Sequence, residues 1–109
     1  MARSARHAFS DLSGDHYSSV TWGIVTVAID LLGHYADASM WRLDETTREA
    51  IRRGLRALLI EQKSQRPSRY AVCSAARTIG EQIRNDRQLA KIASLCDDIV
   101  LMSLLGARR

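Results

Sequence analysis

Three histidines, two cysteines and twelve carboxylates are the groups of this 109-residue chain that could carry proton transfer, nucleophilic attack or metal binding. They do not converge in sequence. His7 lies in a polar N-terminal stretch, His16 near the expected start of a helix, and His34 follows Gly33, where a surface residue is expected. No pair of His, Cys or acidic residues has a zinc-ligand spacing. Asp97-Asp98 is an isolated acidic pair, and adjacent helical residues point apart, so it reads as a solvated edge. There is no glycine-rich phosphate loop, no GxSxG and no HExxH. The serines have no evident base near them in sequence, although nucleophile and base can come from distant segments. Cys73 and Cys96 sit among small or apolar residues without a CxxC, which predicts two reduced core thiols. The expectation is a non-enzyme, with no catalytic residue, metal site or cofactor.

The arginines are the stronger chemical signal. Arg48, Arg52 and Arg56 recur every fourth residue on one helix face, with Arg53 and Lys63 nearby. Such a row can track phosphates, which makes a small basic nucleic-acid-binding protein using Arg48, Arg52, Arg53 and Arg56 the alternative reading. Glu45, Glu49 and Glu61 are interleaved with it, and the net charge is only +4, from 16 basic and 12 acidic residues. A partly neutralised, solvated face is the preferred reading. Ala76 and Gly80 have the spacing of a helix-turn-helix alanine and glycine. The apolar residue expected six positions after the glycine is Asp86, and the motif fails there.

The elements that must position these residues are helices. Hydrophobic residues make up 46% and charged residues 26%, an ordinary globular composition. One proline and six glycines leave few forced breaks. The pattern predicts an all-α bundle of about four helices, roughly 15–38, 45–65, 69–84 and 87–105. Residues 1–14 are expected to form a flexible arm, and 15–109 a single helical domain. The first helix carries two apolar series: Val20, Ile24, Val27, Leu31 and Tyr35, and Trp22, Val25, Ile29, Leu32 and Ala36. The second starts at an Asp44 cap and carries Ile51, Leu55, Leu58 and Leu59. The third starts at Ser68 after Pro67 and carries Val72, Cys73, Ala76, Ile79, Gly80 and Ile83. Asn85-Asp86 then interrupts the pattern, either as a break with Asp86 as a new cap or as a kink. The fourth carries Leu89, Ile92, Ala93, Cys96, Ile99, Val100 and Ser103, widened by Leu95, Leu101, Met102, Leu104 and Leu105. Gly106 is its expected stop, before a basic tail.

The N-terminus lacks the apolar core of a secretory signal, and Val20–Leu32 is too short for a span and contains Asp30, so a cytoplasmic protein away from the membrane is expected. The first and fourth helices have more apolar surface than one layer of packing needs. Either all of it forms one core, or part of it builds a homodimer or a partner site. The expected partner surface is Trp22, Val25, Ile29 and Leu32. The expected dimer interface is Ile99, Leu101, Met102, Leu104 and Leu105. Trp41, in the Ser39-Met40-Trp41-Arg42 connection, is a lid on the core or an exposed anchor.

A short basic helical chain opening Met-Ala-Arg-Ser-Ala-Arg-His and carrying Trp-Gly-Ile-Val-Thr-Val-Ala-Ile-Asp-Leu-Leu resembles the QslA-type quorum-sensing anti-activators over most of its length. The resemblance rests on size, helical pattern and composition and fixes no contact residue. It implies a homodimeric helical protein. The implied partner is the ligand-binding domain of a LuxR-type transcriptional activator such as LasR. Covering that activator's dimerisation surface would block its DNA binding.

Overall fold

The computed structural model describes residues 16–105. They form four α-helices: α1, Ser19–Ser39; α2, Glu45–Gln62; α3, Arg69–Ile83; and α4, Ala90–Leu105. Short 3-10 turns, Met40–Arg42 and Arg87–Leu89, follow α1 and precede α4 respectively. There is no strand among the described residues, and the chain is an all-α bundle. The expected arm over 1–14, His7, the Gly106 stop and the basic tail lie outside the described residues.

Local chemistry sets the helix boundaries. Ser18 Oγ accepts from the Thr21 amide at 3.2 Å, so α1 begins at Ser19 and not near residue 15. Asp44 Oδ1 accepts from the Thr47 amide at 2.8 Å and starts α2. α2 stops at Gln62, three residues short of expectation. The chain needs that length to turn back before Pro67, and Glu61 Oε1, at the end of the helix, accepts from the Ser68 amide at 2.8 Å. Ser68 caps α3 through the Ala71 amide at 3.1 Å. Asp86 breaks α3 from α4: its carboxylate accepts from the Gln88 amide at 2.9 Å, and the 3-10 turn it caps delays α4 to Ala90. The third and fourth helices are therefore separate.

The helices pack around one apolar cluster to which all four contribute. Gly54 in α2 packs directly against the Ile79 side chain of α3, where an added Cβ would lie 2.8 Å from Ile79 Cδ1. Gly80 in α3 meets Cys96 in α4. The α1–α4 pair is tied at both ends. The Tyr17 hydroxyl and Ser103 Oγ are 2.5 Å apart, and the Lys91 ammonium lies 5.2 Å from the Tyr35 ring centre. The α2 stripe differs from expectation at Leu59, which is exposed, while Gly54 takes the buried place beside Ile51 and Leu58. A side chain at Gly54 would hold α2 and α3 apart, so the closest approach falls on the residue without one.

Candidate interaction surface

Helix α1 places its two apolar series in opposite environments. Val25, Ile29 and Leu32 are 0%, 1% and 0% exposed and belong to the core with Ala28 and Ala36. Trp22 is half-buried against the core, its ring 4.8 Å from that of Tyr17. The expected partner surface Trp22, Val25, Ile29 and Leu32 is thus the inward face, and a partner could reach its three aliphatic members only by opening the bundle. The outward face carries the other series: Val20 at 75%, Ile24 at 51%, Val27 at 57% and Leu31 at 43% exposure. It has the same three-and-four step, turned about a third of the way round the helix.

The rotation of α1 is held by polar contacts on its other flank. The Gln62 side-chain amide of α2 donates to the Thr26 carbonyl at 3.2 Å and to Asp30 Oδ1 at 2.9 Å, and lies 3.2 Å from Thr26 Oγ1. These bonds lie along one flank of the exposed series, with Asp30 one turn beyond Val27. No ionisable residue occurs from position 18 to position 29, so the outer face is uncharged until Asp30, and Asp30 is directed to Gln62.

The expected dimer residues of α4 also divide. Ile99 is fully buried in the core, and Met102 is half-buried against it. Leu101, Leu104 and Leu105 are exposed. Leu101 and Leu104 border a groove of about 280 Å³ against α3, alongside Ala76, Gly80 and Val100. Ile99 is lost from the proposed interface because it follows Ile92 and Cys96 on the inward stripe. Both corrections have one source. Periodicity identifies apolar stripes but does not say which of two faces inward.

The arginine row is divided by its own acids. Arg48 Nη2 is 2.5 Å from Glu45 Oε1, and Arg48 Nη1 donates to the Met40 carbonyl at 3.5 Å. Arg52 Nη1 lies 3.9 Å from Glu45 Oε2 and 3.7 Å from Glu49 Oε1. The hydrogen bond from Arg48, with the charges of Arg48 and then Arg52, holds the Glu45 carboxyl below its usual range. Arg53 and Arg56 are exposed and make no ion pair among the described residues. Two cations, not four, stay available on this helix.

The remaining candidate groups are dispersed. Trp41 is 76% exposed, with the Arg42 guanidinium 5.8 Å from its ring, so it is not a lid on the core. His34 is exposed, as expected, beside the Tyr35 ring, and His16 Nε2 is 3.1 Å from Arg66 Nη2. Cys73 and Cys96 are both buried free thiols. Burial, and secondarily the charge of Asp97, pushes the Cys96 thiol up to about 12, which removes it as a nucleophile near neutral pH. Among the described residues no cluster of His, Cys, Asp and Glu could hold a metal ion, and no helix is long and apolar enough to cross a membrane. Comparisons with protein families, curated proteins and solved structures find no match to this chain.

Proposed function

We propose that this protein is an anti-activator that binds the ligand-binding domain of a LuxR-type, LasR-like quorum-sensing activator and occupies the surface through which that activator dimerises, so that it no longer binds DNA. The observation that carries this reading is the uncharged row Val20, Ile24, Val27 and Leu31, exposed along one face of α1. Competing for a dimerisation surface takes an apolar face with anchors and no catalytic group. The family resemblance of the same segment supplies the class of partner.

Magnitudes limit what the row can do alone. Complete burial of one exposed aliphatic side chain stabilises by about 1.5–3 kcal/mol, so four that are roughly half-exposed offer about 3–6 kcal/mol before association costs. A micromolar complex needs about 8 kcal/mol. The row is therefore the centre of a wider interface. In this reading the exposed end of α4, with Leu101, Leu104 and Leu105, builds the homodimer.

The test pairs two double variants. Ile24→Glu/Val27→Glu should abolish co-purification with the activator's ligand-binding domain and relieve repression of an activator-dependent reporter, with the mass in sedimentation equilibrium unchanged. Leu101→Glu/Leu105→Glu should halve that mass. Retention of activator binding by the α1 variant sinks the reading. So does tight, steeply salt-dependent binding of generic DNA or RNA by the wild-type protein alone, which favours the arginine face.

A further inference from the structure

Helices α2 and α3 enclose a second recess, away from the α1 row. It is an open groove of about 440 Å³, floored by Ala50, Gly54 and Ala57 of α2 and Ala71 and Ala75 of α3. The groove lies beside the close contact of Gly54 with Ile79, where Ala50, Ala57, Ala71 and Ala75 present only methyl groups. Its walls are different in kind. Among the described residues Arg53 is the only charged one lining it and no carboxylate does, and Tyr70 stands 78% exposed at its rim. Arg53 makes no ion pair among the described residues, while Arg52 beside it is engaged by Glu45 and Glu49. The smaller recess adjoining it shares Tyr70, Ser74 and Thr78, and its only charged lining residue among the described residues is again an arginine, Arg77.

From this charge pattern we infer that the α2–α3 groove is a docking site for an acidic amphipathic helix of a partner protein. Its apolar side chains lie on the alanine floor and its carboxylate pairs with Arg53. A floor without long side chains lets a helix approach closely and bury its apolar face. An unpaired arginine and an exposed tyrosine on the walls are the residue types that anchor interfaces. A guanidinium accepts a carboxylate in two parallel hydrogen bonds, which fixes the register of the docked helix. The inference is independent of the anti-activator reading, because it uses neither the α1 row nor the end of α4.

The experiment titrates the full chain, ¹⁵N-labelled, with a capped synthetic helical peptide bearing Leu and Ala on one face and Glu on its flanks, and separately with the same peptide bearing Lys for Glu. The acidic peptide should shift the amides of Ala50, Gly54, Ala71 and Ala75, and the basic peptide should leave them in place. Arg53→Glu should weaken binding at least tenfold. Ala57→Leu, at an exposed position where folding is verified by circular dichroism, should weaken it similarly by filling the floor. Arg56→Glu should change it less than twofold. Equal binding of both peptides, shifts confined to α1, or undiminished binding by Arg53→Glu overturns the inference. So does duplex DNA displacing the acidic peptide from the same amides.

Discussion

Helices α1 and α4 carry rows of apolar residues on both their inward and outward faces, whereas the large apolar residues exposed on the other two are Tyr70 in α3 and Leu59 and Ile60 in α2. In α3, Val72, Ala76, Ile79 and Ile83 are buried, and the outward positions hold Ser74, Arg77, Thr78, Glu81 and Gln82. In α1 the buried Val25, Ile29 and Leu32 are matched by an exposed Val20, Ile24, Val27 and Leu31. A monomer needs only the first kind of helix, since each stripe facing the core is one that the core covers. The second kind keeps apolar surface in water, and large exposed apolar patches on folded chains mark interaction sites. The comparison teaches that one helix can carry a core-facing and a water-facing apolar row, about a third of the way round from each other. Adjacent residues such as Leu31 and Leu32 lie in opposite environments.

The sharpest way to break the comparison is to place one charge on either side of it. Leu32→Asp puts an unpaired carboxylate in the core and should abolish the cooperative unfolding transition, a loss exceeding about 4 kcal/mol. Leu31→Asp, one residue away, should change stability by no more than about 0.5 kcal/mol in urea denaturation. Similar losses for both would show that the outer row is structural. Next in size is the α2–α3 contact. Gly54→Val drives a branched side chain into Ile79 and should cost about 1–3 kcal/mol, read as a lowered urea midpoint.

Cys96 lies on the inward stripe of α4, opposite in environment to Leu105. With its thiol raised from 9.0 to about 12, the folded protein at pH 8 should hold on the order of a thousandfold less thiolate there than an ordinary cysteine. Iodoacetamide should label Cys96 only as fast as the bundle opens, and urea should restore ordinary labelling. Labelling of the native protein at the rate of a free thiol would place α4 in a different rotation.

The smallest expected effect concerns the start of α2. Hydrogen bonds from the Thr47 side chain and amide hold the Asp44 carboxyl below its ordinary 3.8, and the charge of Arg48 adds to them. These interactions favour the ionised form and exist only in the folded state, so the unfolded chain takes up the proton first. The contribution is present above pH 3.8 and is lost as pH falls through the lower folded value. Asp44→Asn keeps a capping side chain without the titration. Its urea midpoint should therefore fall less than that of wild type between pH 5 and pH 2.

Much of the fold is legible because its signals are local. Asp44 and Ser68 cap the starts of α2 and α3, and Asp86 the turn before α4, where their types and neighbours predict, since a cap bonds to amides within two or three residues. The α3 stripe is legible because only one apolar series exists to bury. The candidate site is less so. Trp22, Val25, Ile29 and Leu32 and the rival row Val20, Ile24, Val27 and Leu31 have the same periodicity, and no neighbour in sequence distinguishes them. The groove at Gly54 is hidden for a similar reason: its floor is alanine and glycine, which in sequence carry no sign of recognition.

The sequence by itself therefore determined that the chain is a helical bundle, where α2 and α3 begin, and that α1 and α4 hold more apolar surface than one layer of packing needs. Only the tertiary structure decided which row of α1 faces water. That choice is made by contacts spanning tens of residues. Gln62 binds Thr26 and Asp30 on one flank, Tyr17 meets Ser103 at one end of the α1–α4 pair, and Lys91 meets Tyr35 near the other. A helix with two equivalent apolar faces has no preferred rotation of its own, and its neighbours provide one.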